Sequence, residues 1–223
     1  LHNGRRRQRQ MCIRDSLVHN ADLGIAVDPD VDRLVFVSEM GETLGEENTL
    51  ISCADYILSK ESGPAVSNLS SSMGLRDICT KYNVEYFSSK VGEINVVEKM
   101  KAVNAIIGGE GNGGIILREC HLGRDSLVAV TMVLNRMAQS ENKLSVIHQG
   151  LPQYKIVKDK VRIEGVNVEK FLDRVDSIFQ GGEKNTIDGL KITWDDKWVH
   201  LRGSNTEPII RIYAEALSEE IAA

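Results

Sequence analysis

Three aspartates at alternate positions, closed by an arginine, carry the densest chemistry in the chain: Val27-Asp28-Pro29-Asp30-Val31-Asp32-Arg33-Leu34. Like charges this close repel, and an ionised carboxylate is costly to desolvate alone. A hard divalent cation with oxygen ligands, Mg2+ or Ca2+, relieves both penalties. Arg33 adds a fixed fork of donors suited to phosphate. A metal and an arginine on one loop suggest phosphoryl chemistry. Other readings stay open at this point. A solvated acidic turn is one. An EF-hand is another, because Asp28, Asp30, Asp32 and Glu39 fall on positions 1, 3, 5 and 12 of such a loop. Against it, Arg33 stands where that loop needs glycine, and the flanks read as strands rather than helices. A third is an aspartyl phosphatase, with Asp28 as nucleophile and Asp30 as acid.

Two further strings have the composition of ligand loops. Gly108-Gly109-Glu110-Gly111-Asn112-Gly113-Gly114 has five glycines in seven positions, so its backbone can pass close to a ligand. The remaining side chains, Glu110 and Asn112, are groups that bind sugar hydroxyls; a plain glycine-rich hairpin turn would not need Glu110. Arg202-Gly203-Ser204-Asn205-Thr206-Glu207-Pro208, with Arg211 beyond it, gathers two arginines and two hydroxyls into a phosphate cradle. An exposed turn would leave Arg202 and Arg211 unexplained. Lys90 ends a strand just before a helix, where it could contact phosphate, move protons or simply be solvated. His121-Leu122-Gly123-Arg124-Asp125 is ambiguous in the same way.

These loops need elements to hold them. Leu23 to Val27 and Leu34 to Val37 are short β-branched runs, so strands flank the aspartates. A helix is expected over Glu47 to Lys60, a strand over Pro64 to Leu69, and a helix carrying Leu75, Ile78, Cys79 and Tyr82. A strand at Val84 to Phe87, a helix at Glu93 to Ala102, a strand at Ala105 to Ile107 and a helix at Ser126 to Gln139 follow. This alternation predicts an α/β layer with a largely parallel sheet. Past Gly150-Leu151-Pro152 the pattern changes: a strand over Tyr154 to Val161, one helix capped by Asn167, then strands over Ile187 to Trp194, Trp198 to Leu201 and Ile209 to Ala214. That is a smaller α+β unit with a mainly antiparallel sheet, and no clear helix closes it.

Composition sets the limits. The 223 residues, 42% apolar and 26% charged, suit a soluble globular chain with one or two domains and no membrane span. Cys53 and Cys79 fall on apolar helix faces, and the four cysteines form no C-x-x-C pair, as in a reduced cytoplasmic protein. Residues 1–16 hold five arginines and one acid without a helical or strand period, and look like foreign sequence appended to the protein. Leaving them out lowers the basic count from 27 to 22 and the acidic count from 32 to 31, a net charge of −9 that argues against nucleic acid as a partner.

Taken in order, the three strings resemble the α-D-phosphohexomutase family of phosphoglucomutases, phosphomannomutases and phosphoglucosamine mutases. That family has a D-x-D-x-D-R metal loop, a G-E-x-S-G-H-like sugar loop and an R-x-S-x-T-E-P-x-x-R phosphate loop. The resemblance implies that Asp28, Asp30 and Asp32 hold Mg2+ while Arg33 lies near the transferred phosphoryl group, and that Lys90 falls where the family has a substrate-contacting lysine, so that Arg33 and Lys90 are the catalytic candidates. Glu110 and Asn112 would read the sugar, and Arg202, Ser204, Asn205, Thr206 and Arg211 would hold the phosphate that does not react. It also implies a domain plan: residues 17–45 end domain 2 with the metal loop, 46–145 form a three-layer α/β sugar-binding domain 3, and 150–223 form phosphate-binding domain 4, truncated at its end. The implied substrate is a hexose or hexosamine phosphate, with phosphoglucosamine or phosphomannose favoured, passing through a bisphosphate. Two departures stand out. Gly114 occupies the place of the family's sugar-loop histidine, and no segment matches the S-H-N-P loop that carries the family's phosphoserine. The chain is therefore expected to need N-terminal domains of the same enzyme and to be inactive alone. A rival from another class is a non-catalytic calcium- or sugar-phosphate-binding module.

Overall fold

The computed structural model describes residues 2–163, 165, 167–179, 181–204 and 207–223, with side chains from residue 10 onward. The chain divides into two compact units, Leu1–Pro152 and Gln153–Ala223.

The first unit opens with helix α1 (His2–Val18). This stretch lacks the apolar stripe of an ordinary packed helix, yet arginine, glutamine and methionine favour helix intrinsically. Its Cys12 and Ser16 face Gly24, where a Cβ would lie 2.4 Å from the Ser16 hydroxyl. Strands β1 (Leu23–Val27) and β2 (Leu34–Ser38) then form an antiparallel hairpin in register Leu23↔Ser38 to Val27↔Leu34, with β2 buried throughout. The aspartate loop is the connection of this hairpin.

Next come α2 (Glu46–Leu58), β3 (Ala65–Asn68), α3 (Gly74–Lys81), β4 (Tyr86–Ser89), α4 (Glu93–Val103), β5 (Ile107–Glu110), β6 (Gly114–Leu117), α5 (Ser126–Ser140) and α6 (Leu144–Gln149). The sheet order is β4-β3-β5-β6; β3 runs parallel to β4 and β5, and β6 returns antiparallel. Strand alternation sends Ala65, Ile107 and Ile115 to a core shared with α2, α3 and α5, while Val66 and Ile116 meet Val96 and Met100 of α4 on the other face. This is the three-layer α/β architecture, with a mixed sheet. Asp55 of α2, almost fully buried, ties the helical layer together through Lys81 (2.6 Å), Arg136 (2.5 Å) and the Tyr82 hydroxyl (2.9 Å). Among the described residues no helix is long and apolar enough to cross a membrane.

The second unit contains β7 (Lys155–Arg162), α7 (Val168–Ile178), β8 (Glu183–Asn185), β9 (Leu190–Thr193), β10 (Trp198–Gly203), β11 (Ile209–Ala216) and a short α8 (Glu219–Ala222). Asn167 caps α7 through the Lys170 N–H at 3.0 Å. The sheet order is β7-β11-β10-β9-β8, antiparallel throughout. The closing helix α8 was not expected from the sequence, where it has a single turn and little apolar pattern; Ser218 starts it by accepting the Ile221 N–H.

His200 on β10 is 1% exposed, and its Nε2 lies 2.7 Å from the Asp188 carbonyl. Burial pushes its imidazole down to about 4. In the unfolded chain histidine takes its proton near 6.5, so the unfolded state binds the extra proton first as the pH falls. Stability is therefore expected to drop between about pH 6.5 and 4, by up to ~3 kcal/mol from this group. Both tryptophans, Trp194 and Trp198, lie in this unit and report its unfolding. Denaturant titrations at pH 7 and 4.5 should show a smaller acid loss for His200→Gln; an equal loss would assign the effect to other groups.

Candidate functional site

The aspartate loop is tightly wound. Asp28 Oδ1 accepts the N–H groups of Asp32 and Arg33, both at 3.3 Å, and the Asp28 N–H donates to the Arg33 carbonyl at 3.2 Å. This winding forces Val31 to φ 57°, a left-handed conformation that a β-branched residue adopts only under strain. Its result is convergence: carboxylate oxygens of Asp28, Asp30 and Asp32 all lie within 4.8 Å of one another. Arg33 leans over them, its Nε 3.7 Å from Asp28 Oδ2 and 3.6 Å from Asp32 Oδ1. Burial raises the Asp32 carboxyl above its ordinary value, and the neighbouring Asp28 adds to this while Arg124 and Arg33 oppose it. Glu39, the twelfth position of the calcium-loop reading, lies elsewhere. Burial acts to raise its carboxyl, but hydrogen bonds from the Ser145 hydroxyl and N–H outweigh that and hold it below its ordinary value.

The glycine-rich loop sits against the aspartate loop. The Leu34 N–H donates to the Gly113 carbonyl at 3.1 Å, and Gly113 has φ 87° with no room for a Cβ, which would fall 2.3 Å from the Leu34 carbonyl. Glu110 ends β5 at the carboxyl edge of the parallel strands, the usual ligand edge of such sheets. It is 4% exposed. Its Oε1 accepts from Asn68 Nδ2 (2.7 Å) and the Gly92 N–H (2.9 Å); its Oε2 accepts from Arg124 (3.1 Å) and Asn112 Nδ2 (3.3 Å). Glu110 thus joins the ends of β3, β4 and β5. Asn112 Oδ1 accepts the Gly114 N–H at 3.1 Å. Lys90 is exposed in the loop after β4, two residues before the Gly92 N–H bound to Glu110.

Arg124 ties the aspartate loop to the glycine-rich loop, a role its sequence context does not show. Its guanidinium reaches Asp32 Oδ2 (2.5 Å), Glu110 Oε2 (3.1 Å) and Glu93 Oε2 (3.2 Å), and its own N–H donates to Glu93 Oε1 at 2.9 Å. Its neighbours in sequence have structural duties: Asp125 caps α5 by accepting the Leu127 and Val128 N–H groups, and the hydrogen bond from exposed His121, at 2.9 Å, is the main reason its carboxyl lies below the ordinary range. The only sequence signal for Arg124 was its position just before that cap.

In the second unit, Arg202 on β10 and Arg211 on β11 are direct partners across the antiparallel ladder, so both side chains leave the same face. Like charges placed opposite each other are unfavourable unless an anion lies between them. Existing partners are loose: Asp188 is 3.9 Å from Arg202 and Glu207 is 3.5 Å from Arg211. Arg202 Nε is buried without a hydrogen-bond partner among the described residues. The Ser204 N–H donates to the Ile209 carbonyl at 3.0 Å. Asn205 and Thr206 lie outside the described residues. The structure thus brings Asp28, Asp30, Asp32 and Arg33 together with the Glu110–Asn112 loop in one unit, and pairs Arg202 with Arg211 in the other.

The family model described as Phosphoglucomutase/phosphomannomutase, alpha/beta/alpha domain III, matches residues 46–154, and that of the Phosphoglucomutase/phosphomannomutase C-terminal domain matches residues 157–223. A phosphoglucomutase/phosphomannomutase from Thermococcus kodakarensis is 37% identical over 206 residues, which are 91% of this chain and 45% of that protein. Among solved structures, a phosphoglucomutase/phosphomannomutase family protein from Burkholderia thailandensis is similar with a TM-score of 0.81 and 24% identity, over 96% of this chain and 46% of the other. N-acetylphosphoglucosamine mutase from Aspergillus fumigatus, in complex with GlcNAc-6P and magnesium, is similar with a TM-score of 0.62 and 14% identity, over 89% of this chain and 46% of the other. The chain therefore spans about half the length of the relatives it matches. With two consecutive domains of one family covering most of its length, the chain belongs to the phosphoglucomutase/phosphomannomutase family.

Proposed function

We propose that this chain carries the metal, sugar and phosphate loops of a Mg2+-dependent phosphohexomutase, which moves a phosphoryl group between the 6- and 1-positions of a hexosamine or hexose phosphate. Phosphoglucosamine and phosphomannose are the favoured substrates. The observation that carries the reading is the convergence of Asp28, Asp30 and Asp32 to within 4.8 Å beside a loop of Glu110 and Asn112. The donor set is all oxygen, and buried Asp32 Oδ1 has Arg33 Nε at 3.6 Å but no hydrogen bond among the described residues, so a cation at bonding distance would satisfy it better. When bound, Mg2+ supplies stabilisation of charge on phosphoryl oxygens. Arg33 orients the transferring group, and Lys90, exposed in the loop after β4, contacts the substrate. Asn112 reads the sugar hydroxyls; Glu110 does so by exchanging one of its four internal hydrogen bonds for a hydroxyl. Arg202 and Arg211, with Ser204, Asn205 and Thr206, hold the phosphate at the non-reacting end. Magnesium and GlcNAc-6P in the Aspergillus complex support the ion and the hexosamine class. The free, buried Cys53 and Cys79 support a cytoplasmic setting.

Calorimetry tests the phosphate assignment. Losing one charge-assisted phosphate contact costs roughly 1.5–3 kcal/mol, so Arg202→Ala is expected to weaken glucosamine 6-phosphate binding by about tenfold or more. Unchanged affinity would move the phosphate site elsewhere.

A further inference from the structure

The space next to Gly114 is already taken. A Cβ there would lie 2.4 Å from Arg124 Cδ and 3.1 Å from its Cγ, so the absence of a side chain at Gly114 is what lets the Arg124 stem pass. The stem delivers a guanidinium, 13% exposed, to carboxylates from three separate segments: Asp32 in the aspartate loop, Glu93 at the start of α4 and Glu110 at the end of β5. One of its partners, Asp32 Oδ2, belongs to a carboxylate that also completes the converging triad.

We propose that Arg124 is a positioning residue that stands in for the divalent cation at Asp32 and gives up that oxygen when the cation binds. The inference rests on the metal reading of Asp28, Asp30 and Asp32. Two effects of Arg124 on cation affinity share one sign. It competes for Asp32, and it neutralises Glu93 and Glu110, whose charge would otherwise attract the ion. Its hold on Glu110 and Glu93 persists after release of Asp32, so the glycine-rich loop stays tied to the start of α4 while the aspartate loop is free to close on the ion.

The test is Mn2+ binding to the whole chain, read as free Mn2+ by electron paramagnetic resonance. Arg124→Met is expected to tighten Mn2+ binding threefold or more. If Arg124 served only to hold the loops in shape, its loss would loosen the triad and weaken binding. Gly114→Ala is the second variant: it retains every charge but forces the arginine stem aside, and the same direction of change is expected with a smaller size. It carries the test should Arg124→Met fail to fold. Unchanged or weaker binding in the folded variants would overturn the proposal, whereas no saturable Mn2+ binding by the unmutated chain would overturn the metal reading and this inference with it.

Discussion

Incubated alone with glucosamine 6-phosphate, a hexose 1,6-bisphosphate and Mg2+, the chain is expected to yield neither a 1-phosphate nor inorganic phosphate by phosphorus NMR. A mutase must hold the phosphoryl group between its two transfers, which needs an activated nucleophile. Two candidates beside the loops are poorly placed for that task. Asp28 has a side chain only 8% exposed, and its Oδ1 is committed to the Asp32 and Arg33 N–H groups. Its phosphorylation would also cost the triad one of its three carboxylate ligands. Ser71, beside the glycine-rich loop, is buried and already bonded to the Gly111 N–H at 2.9 Å and to Asn68 Oδ1 at 3.0 Å. Loss of a covalent nucleophile costs several orders of magnitude even when the binding groups remain. Steady formation of 1-phosphate would place the nucleophile in this chain. Steady release of inorganic phosphate would instead favour Asp28 as an aspartyl phosphatase nucleophile.

Asp30→Ala is expected to weaken Mn2+ binding by at least about tenfold, since even partners one shell removed from a metal are worth 10–100-fold in affinity. Asp30 is the informative member of the triad because it is exposed. Asp28, by contrast, accepts two loop N–H groups, and its removal would also release the strained turn at Val31. Asp28→Asn keeps an acceptor for those N–H groups while removing the charge, so it separates ligand charge from loop shape. Thermal unfolding of Asp30→Ala should match that of the unmutated chain. If Mn2+ binding survives in both variants, the three aspartates are not the ion's ligands.

The fold class was legible because periodicity and layer order are written locally. The alternation of apolar runs after Glu46 calls for a three-layer α/β unit, and the run of strands after Gly181-Gly182 for an antiparallel sheet. Strand starts were harder. Val84 reads as strand, but Asn83 turns left-handed at φ 53° and the Val84 N–H closes the preceding helix on the Cys79 carbonyl, so β4 begins at Tyr86. Asn104, at φ 55°, delays β5 in the same way, with the Ala105 N–H bound to the Met100 carbonyl. Such caps compete with strand propensity for the same N–H groups, and periodicity does not register them. The loops showed their chemistry in their composition. Arg124 did not, since its meaning lies in the vacant side of Gly114 and in carboxylates 14, 31 and 92 residues away along the chain. Glu110 was visible as a carboxylate among glycines, but its four internal partners come from Asn68, Gly92, Asn112 and Arg124, which only folding brings together.

The most direct test of the account is anomalous diffraction from crystals of the chain soaked in Mn2+. One strong peak is expected within bonding distance of Asp28, Asp30 and Asp32, with Arg124 drawn off Asp32 but still on Glu110. A peak bound elsewhere, or an aspartate loop without one at saturating Mn2+, would contradict it.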